Sequence, residues 1–342
     1  MDRSPILIVG PSWVGDMVMA QSLVKLLEAR RPGTPIDILA PGWSLPIIAR
    51  MPEVRTGLVS PGGHGEASIA ARRRLGIALR QKGYAQAIVL PRSLKAALVP
   101  WFARIPRRTG IRGEMRFGLI NDMRPFDARA LDQTVKRFVA LGLEPGEPVT
   151  EIPQPALAVS PERQQASIER LSLATDRPVV AMMPGAEYGP AKCWPIEYFR
   201  ELAGMLAAAG FAVWVFGSAR DCPAGAAIAA DGHARDLCGM TELEEVVDLM
   251  AACRYAVTND SGLMHVAAAV GTRVVALYGS TTPDFTPPLA DDARIHYLRL
   301  DCSPCFERQC PLGHLRCLRE IRPAAVFSDL VDHSPGRRQD LQ

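Results

Sequence analysis

Residues 255–277 constrain this chain more than any other stretch. An apolar run, Tyr255-Ala256-Val257, leads into a polar turn, Asn259-Asp260-Ser261-Gly262. An apolar segment of helical character follows, then Gly271 and a β-branched run at Val274-Val275. That is strand, turn, helix, turn, strand. In such a unit the turn lies at the carboxyl end of the first strand, where backbone N–H groups and the helix dipole favour a phosphate. An ordinary βαβ turn with a Ser or Asp cap fits the same residues, so the ligand reading depends on the rest of the chain.

The alternation recurs throughout. Residues 5–9, 36–39, 54–59 and 86–90 read as strands, with helical spacing over 16–30 (Val18, Leu23, Leu26 and Leu27 inward) and over 66–81. A second series begins with a strand at 179–183, a long loop at 184–192 and a helix at 195–209 that ends at Gly210. A strand at 211–216 and a helix at 241–253, capped by Thr241, lead into the opening stretch. Between them Pro145, Pro148, Pro153, Pro155 and Pro161 interrupt any periodicity, which reads as a linker running into a short helix at 161–173. The expected fold class is α/β, with parallel sheets covered on both faces. The expected division is a domain over 1–155, a linker and connecting helix over 156–177, a second domain over 178–325, and a terminal helix and tail over 326–342 that packs back on the first domain.

At 342 residues two cores are expected, and 48% apolar with 22% charged residues is the composition of a folded globular protein. The net charge of +3 is too small to imply nucleic acid. The basic residues are uneven, however: Arg72-Arg73-Arg74 and Arg104, Arg107, Arg108, Arg112 and Arg116 all lie in the first half. A solvated face and an anionic substrate or lipid surface both account for them. No signal peptide and no apolar stretch of the ~20 residues needed to span a bilayer is evident, so a cytoplasmic location with mostly reduced cysteines is expected.

The segment Gly10-Pro11-Ser12-Trp13-Val14-Gly15 lacks the central glycine of the dinucleotide fingerprint and places Trp13 in the turn. Asp16 follows directly, just beyond the carboxyl end of the first strand, where open α/β sheets place their chemistry. A first-turn acid stabilised by the helix dipole is the alternative. In the second half, three loops carry groups suited to a nucleotide diphosphate. Lys192 brings a positive charge, and Ser261 and Gly262 open a helix whose amides can bind phosphate. Asp221, after Gly217-Ser218, can accept from ribose hydroxyls. Against these stand a solvated lysine, a helix-capping Asp221 and, for His265, a packed core histidine.

Taken together, Gly-Pro-Ser-Trp-Val-Gly-Asp (10–16), Met-Pro-Glu-Val (51–54), Arg-Thr-Gly-Ile-Arg-Gly-Glu-Met-Arg (108–116), Pro-Gly-Ala-Glu-Tyr-Gly-Pro-Ala-Lys (184–192), Thr-Asn-Asp-Ser-Gly-Leu-Met-His-Val-Ala-Ala-Ala (258–269) and Pro-Asp-Phe-Thr-Pro-Pro-Leu (283–289) carry a family resemblance. The chain resembles the ADP-heptose:lipopolysaccharide heptosyltransferases, family 9 glycosyltransferases of the GT-B type. The wording of 10–16, 108–116 and 184–192 is most similar to the members that add the second heptose. The resemblance implies two Rossmann-like domains facing across a central cleft. It further implies inverting transfer of L-glycero-D-manno-heptose from ADP-heptose to the first heptose of the inner core.

By the same resemblance Asp16 is the general base and Lys192 offsets charge on the leaving β-phosphate. Ser261, Gly262, Met264 and His265 belong to the phosphate-binding helix start, and Asp260 holds heptose hydroxyls. Asp221 takes the ribose-contact position, with Gly185, Gly217 and Ser218 around it, and Met240 packs on adenine. Glu187 and Tyr188 stand where the first heptosyltransferases carry small hydroxylated residues. Arg92, Lys95, Arg108, Arg112 and Arg116 are candidate contacts for the carboxylates and phosphates of a heptosyl-Kdo2-lipid A acceptor. That acceptor implies peripheral attachment to the cytoplasmic face of the inner membrane. No cofactor is implied for catalysis.

One cluster lies outside this pattern. Cys302, Cys305, Cys310 and Cys317 form C-x2-C-x4-C-x6-C, with His314 among them. Structural zinc, free thiols and disulfides all fit the spacing. If it binds zinc, the site staples the loop before the terminal helix.

Overall fold

Ile6-Leu7-Ile8-Val9 is buried at every position, as an inner strand of a parallel sheet covered on both faces must be. The computed structural model describes residues 4–61 and 68–331, and the chain separates into two units, Met1–Ala158 and Val159–Gln342. The first contains, in order, β1 (Ile6–Val9), α1 (Val14–Arg30), β2 (Ile36–Ala40), α2 (Leu45–Ile48), β3 (Thr56–Val59), α3 (Ile69–Leu79), β4 (Gln86–Val89), α4 (Leu94–Phe102), β5 (Arg107–Ile111), β6 (Asp122–Arg124) and α5 (Thr134–Ala140). The second contains α6 (Pro161–Arg170), β7 (Val179–Met183), α7 (Ile196–Ala208), β8 (Ala212–Val215), α8 (Cys222–Ala229), β9 (Arg235–Asp236), α9 (Leu243–Ala251), β10 (Tyr255–Asn259), α10 (Gly262–Ala269), β11 (Arg273–Tyr278), β12 (Arg294–Tyr297), α11 (Arg316–Arg319) and α12 (Pro323–Val331).

Each unit forms a six-stranded sheet with parallel pairing throughout, ordered β3-β2-β1-β4-β5-β6 in one and β12-β11-β10-β7-β8-β9 in the other. The two orders are the same doubly wound topology, read from opposite ends. Order reverses between β1 and β4 and between β7 and β10, and a crevice opens at the carboxyl ends of strands at such points.

The period of two along a strand sorts its residues between the two faces. In β7, Val180 and Met182 join a cluster with Phe199, Leu202 and Leu206 of α7 and Val326 and Leu330 of α12. Val179, Ala181 and Met183 join the opposite cluster, with Val246, Leu249 and Met250 of α9 and Met264 and Ala267 of α10. In the first unit Leu7, Val9, Ala87 and Val89 pack on Ala96, Ala97 and Val99 of α4. Each large apolar side chain so buried contributes about 1.5–3 kcal/mol.

Several boundaries differ from the sequence reading. Helix α1 begins at Val14, so Asp16 lies inside its first turn. Strand β10 runs through Asn259, which takes that residue out of the turn. The cap of α9 is Glu242, paired with Glu245 in a capping box, and not Thr241. The helix expected over 66–81 spans Ile69–Leu79, with 62–67 outside the described residues. Of the expected terminal segment, residues up to Val331 pack through α12 into the second unit's own core, and 332–342 lie outside the described residues.

Candidate active site

The loops after β7 and β10 meet at the second unit's reversal of strand order. Lys192 ends a short 3-10 turn (Pro190–Lys192) in the first loop, and Asp260 follows β10 directly. The Lys192 Nζ donates to Asp260 Oδ2 at 2.6 Å, with side chains 15% and 5% exposed. Thr281 Oγ1 donates to the same carboxylate oxygen at 2.6 Å, and Thr286 Oγ1 reaches the other at 3.3 Å. A buried carboxylate with this many donors is held in place. It fixes the ammonium of Lys192, which also lies 5.1 Å from the centre of the Tyr188 ring.

The loop itself is tied down by Asn259. Its buried side chain donates from Nδ2 to the Pro184 carbonyl at 2.7 Å and accepts from the Trp194 amide at 2.9 Å. One residue thus clamps both ends of the loop that carries Lys192. The sequence reading placed Asn259 among turn residues and missed this role; a polar residue directly after the strand run Tyr255 to Thr258 was the available signal.

Ser261 stands at the N-cap of α10 in an extended conformation, and its side chain does not cap the helix. Its Oγ lies 3.3 Å from Thr258 Oγ1 instead. The first turn of α10, from Gly262, therefore presents backbone amides at the same crevice as Lys192, which is the arrangement that binds phosphate. Met264 points away from it: its side chain is fully buried, and its sulfur accepts from the Tyr278 hydroxyl at 3.5 Å. Its side chain is a core element and not a donor contact. His265 is 4% exposed, with no partner at Nδ1. Burial pushes its pKa down to about 4, against an opposing pull from Asp260. It is a neutral core histidine, the alternative weighed for it above.

At the next loop Asp221 Oδ2 accepts from both the amide and the hydroxyl of Ser218, each at 2.8 Å, and so closes a capping box. The capping alternative describes this arrangement. The carboxylate also explains two glycines: a Cβ on Gly185 would stand 2.4 Å from Asp221 Oδ1, and one on Gly217 would stand 2.6 Å from Asp221 Cβ. Met240, just beyond β9, is exposed. Glu187 forms a solvent-exposed pair with Arg220 at 3.1 Å. Tyr188 donates to the Phe306 carbonyl.

In the first unit Asp16 is half-buried in the first turn of α1, beyond β1 at the reversal of strand order. The five basic residues separate into two groups. Arg116 is 1% exposed and donates to the carbonyls of Pro91, Ser93 and Ile111. Arg108 donates to the carbonyls of Ile105, Gly118 and Leu119. Both guanidinium groups are committed to the backbone, so the expectation that they contact an acceptor anion is corrected. Arg92 and Arg112 are exposed and Lys95 half-buried. Arg92 also stacks 4.6 Å from the Phe126 ring centre, with Arg137 at 5.0 Å.

None of the four cysteines at 302–317 is in a disulfide, and they line, with His314 and Ala191, one cavity of about 20 Å3. Among the described residues no group of three or more His, Cys, Asp or Glu side chains is arranged to hold a metal ion. What the loop does show is contact with the Lys192 loop. The Ala191 amide donates to the Arg308 carbonyl at 3.1 Å, and Arg308 lies 5.5 Å from the Tyr188 ring centre. Sequence reasoning did not anticipate this brace, because Phe306 and Arg308 belong to no motif.

Three comparisons bear on this geometry. The model of glycosyltransferase family 9 (heptosyltransferase) matches residues 72–316. The chain is 46% identical to lipopolysaccharide heptosyltransferase 2 of Escherichia coli, over 95% of this chain and 97% of that one. It is 47% identical to the protein of the same description from Salmonella typhimurium, with the same coverage. The solved structure of the E. coli ADP-heptose lipopolysaccharide heptosyltransferase II superposes with a TM-score of 0.85 at 45% identity, covering 95% of this chain and 97% of that one.

Proposed function

The chain belongs to glycosyltransferase family 9, the heptosyltransferases, and from that premise we propose inverting transfer of L-glycero-D-manno-heptose from ADP-heptose to the first heptose of the lipopolysaccharide inner core. The observation that carries the reading is the Lys192–Asp260 pair at the second unit's reversal of strand order, beside the amino end of α10.

In this reading an acceptor hydroxyl attacks the anomeric carbon while Asp16 takes its proton. The bond between that carbon and the β-phosphate oxygen breaks, and ADP leaves with the bonding pair. Negative charge grows on the diphosphate as the bond opens, where Lys192 and the α10 amides offset it. Asp260 fixes the ammonium beforehand and accepts from heptose hydroxyls, so little reorganisation is needed during the reaction. Asp221 faces the ribose and Met240 the adenine. Arg92, Lys95 and Arg112 are the cations left for acceptor carboxylates and phosphates.

The proposed acceptor is heptosyl-Kdo2-lipid A in the inner leaflet, which places the enzyme at the cytoplasmic face of the inner membrane as a peripheral protein. Among the described residues no helix is long and apolar enough to cross a membrane. An assay with ADP-heptose and acceptors bearing zero, one or two heptoses tests the reading. Product only from the one-heptose acceptor is expected. Product from either of the others moves the chain to a different core acceptor.

A further inference from the structure

Arg116, buried and bonded to backbone carbonyls, also shapes the surface around it. Its buried guanidinium draws the chain inward between two residues that point out: Met115 is 84% exposed and Phe117 69%. A singly exposed apolar side chain is ordinary, but neighbouring ones displayed together mark a contact surface. The display is built, not slack. Gly113 lets the segment approach Arg92 so closely that a Cβ there would meet the Arg92 carbonyl oxygen at 2.4 Å. The Glu114 amide donates to that carbonyl at 3.2 Å, and Arg92 Nε donates to the Arg112 carbonyl at 3.2 Å. The Glu114 carboxylate accepts from the Leu94 amide at 2.7 Å, which turns its charge toward the protein. Leu94 is itself 39% exposed.

The result is one platform made from the segments after β4 and β5. It carries Leu94, Met115 and Phe117 as apolar tips, with Arg92, Lys95 and Arg112 among them. Both segments follow the carboxyl ends of their strands, the same edge of the sheet from which Asp16 opens α1. Apolar tips with interspersed cations suit a surface that is anionic at its face and apolar just beneath. Amphipathic surfaces that lie on bilayers combine the same two elements.

We propose that residues 112–118, backed by Arg92 and Leu94, dock the enzyme on an anionic lipid surface, with Met115 and Phe117 entering the boundary between headgroups and acyl chains. The inference deepens the proposed function, because it rests on an acceptor held in a membrane. It also assigns the exposed cations a double use, toward lipid headgroups and toward the acceptor's own charges.

The test uses the full chain and its double variant Met115→Ser/Phe117→Ser. Both residues are exposed, so the variant is expected to melt like the parent. Co-sedimentation with vesicles of phosphatidylcholine, alone or mixed with phosphatidylglycerol, is measured without substrates at low and high salt. The expected result is binding to the mixed vesicles that weakens with salt and falls at least roughly tenfold in the double variant. Turnover on a deacylated, water-soluble acceptor is expected to stay unchanged. Vesicle binding equal to the parent's overturns the proposal. A comparable loss of turnover on the soluble acceptor also overturns it, by placing the two side chains in the acceptor site. A change in sedimentation coefficient between parent and variant overturns it in favour of contact between copies. If the parent binds vesicles yet uses neither acceptor, the docking surface stands and the proposed function fails.

Discussion

Lys192 and Asp260 show how a site is kept ready before its ligand arrives. An ammonium that is 15% exposed needs a compensating charge, and a lone buried carboxylate would cost several kcal/mol. Each makes the other tenable, and Thr281 and Thr286 supply the remaining donors to Asp260. His265, one turn into α10, is the neutral member of the neighbourhood. Its pKa is about 4, lowered by burial, against an unfolded value near 6.5. Between those values the unfolded chain binds the proton and the folded one does not. The contribution of His265 to stability is therefore full above pH 6.5 and is lost as pH falls toward 4, by roughly 3 kcal/mol over the window. Denaturant melts of His265→Gln should show a flatter pH dependence than the parent between pH 5 and 6.5. Parallel slopes would show that His265 is protonated in the fold.

At the scale of elements, the loop from Pro184 to Trp194 is the part most dependent on its surroundings. Asn259 clamps its ends, and the cysteine-rich loop braces its middle through Phe306 and Arg308. Gly189 is where the two loops touch. It has φ of 152°, and a Cβ there would lie 2.6 Å from the Arg308 carbonyl oxygen. Since backbone cannot swing aside as a side-chain tip can, Gly189→Ala must displace one loop, at a cost of about 1–3 kcal/mol. Initial-rate kinetics should show the KM for ADP-heptose rising roughly tenfold, the equivalent of ~1.4 kcal/mol. An unchanged KM would mean that the brace does not position Lys192.

The whole molecule was legible in sequence to the extent that its strands are apolar and its helices periodic. Both α/β units follow from that alternation, and β7 matches its expected 179–183 span because Val179 to Met183 are apolar throughout. The edge strand β3 lay within its expected 54–59 span, but β5 and β6 at the other side of that sheet were not legible. Strand β5 begins Arg107-Arg108 and β6 is Asp122-Met123-Arg124; Asp122 accepts from Arg107 and Arg124 at 2.9 Å each, while Arg108 turns to backbone carbonyls. Charged pairing along an edge carries no hydrophobic period to read. Nor does a sequence reveal that residues 68 positions apart will meet as Lys192 and Asp260 do; that follows from β7 and β10 lying side by side at the reversal of strand order. The same limit applied to the arginines, since only their partners separate Arg108 and Arg116 from Arg92 and Arg112.

Asp16 lies in one unit and Lys192 in the other, so the account assigns them separable tasks, proton removal from the acceptor and stabilisation of the departing diphosphate. The most direct test is Asp16→Asn, with heptose transfer to the one-heptose acceptor and ADP-heptose binding by calorimetry measured on the same preparation. The account predicts turnover reduced by about 10²–10⁴-fold, the usual worth of a positioned general base, with donor affinity nearly unchanged. Near-normal turnover in that variant would contradict it.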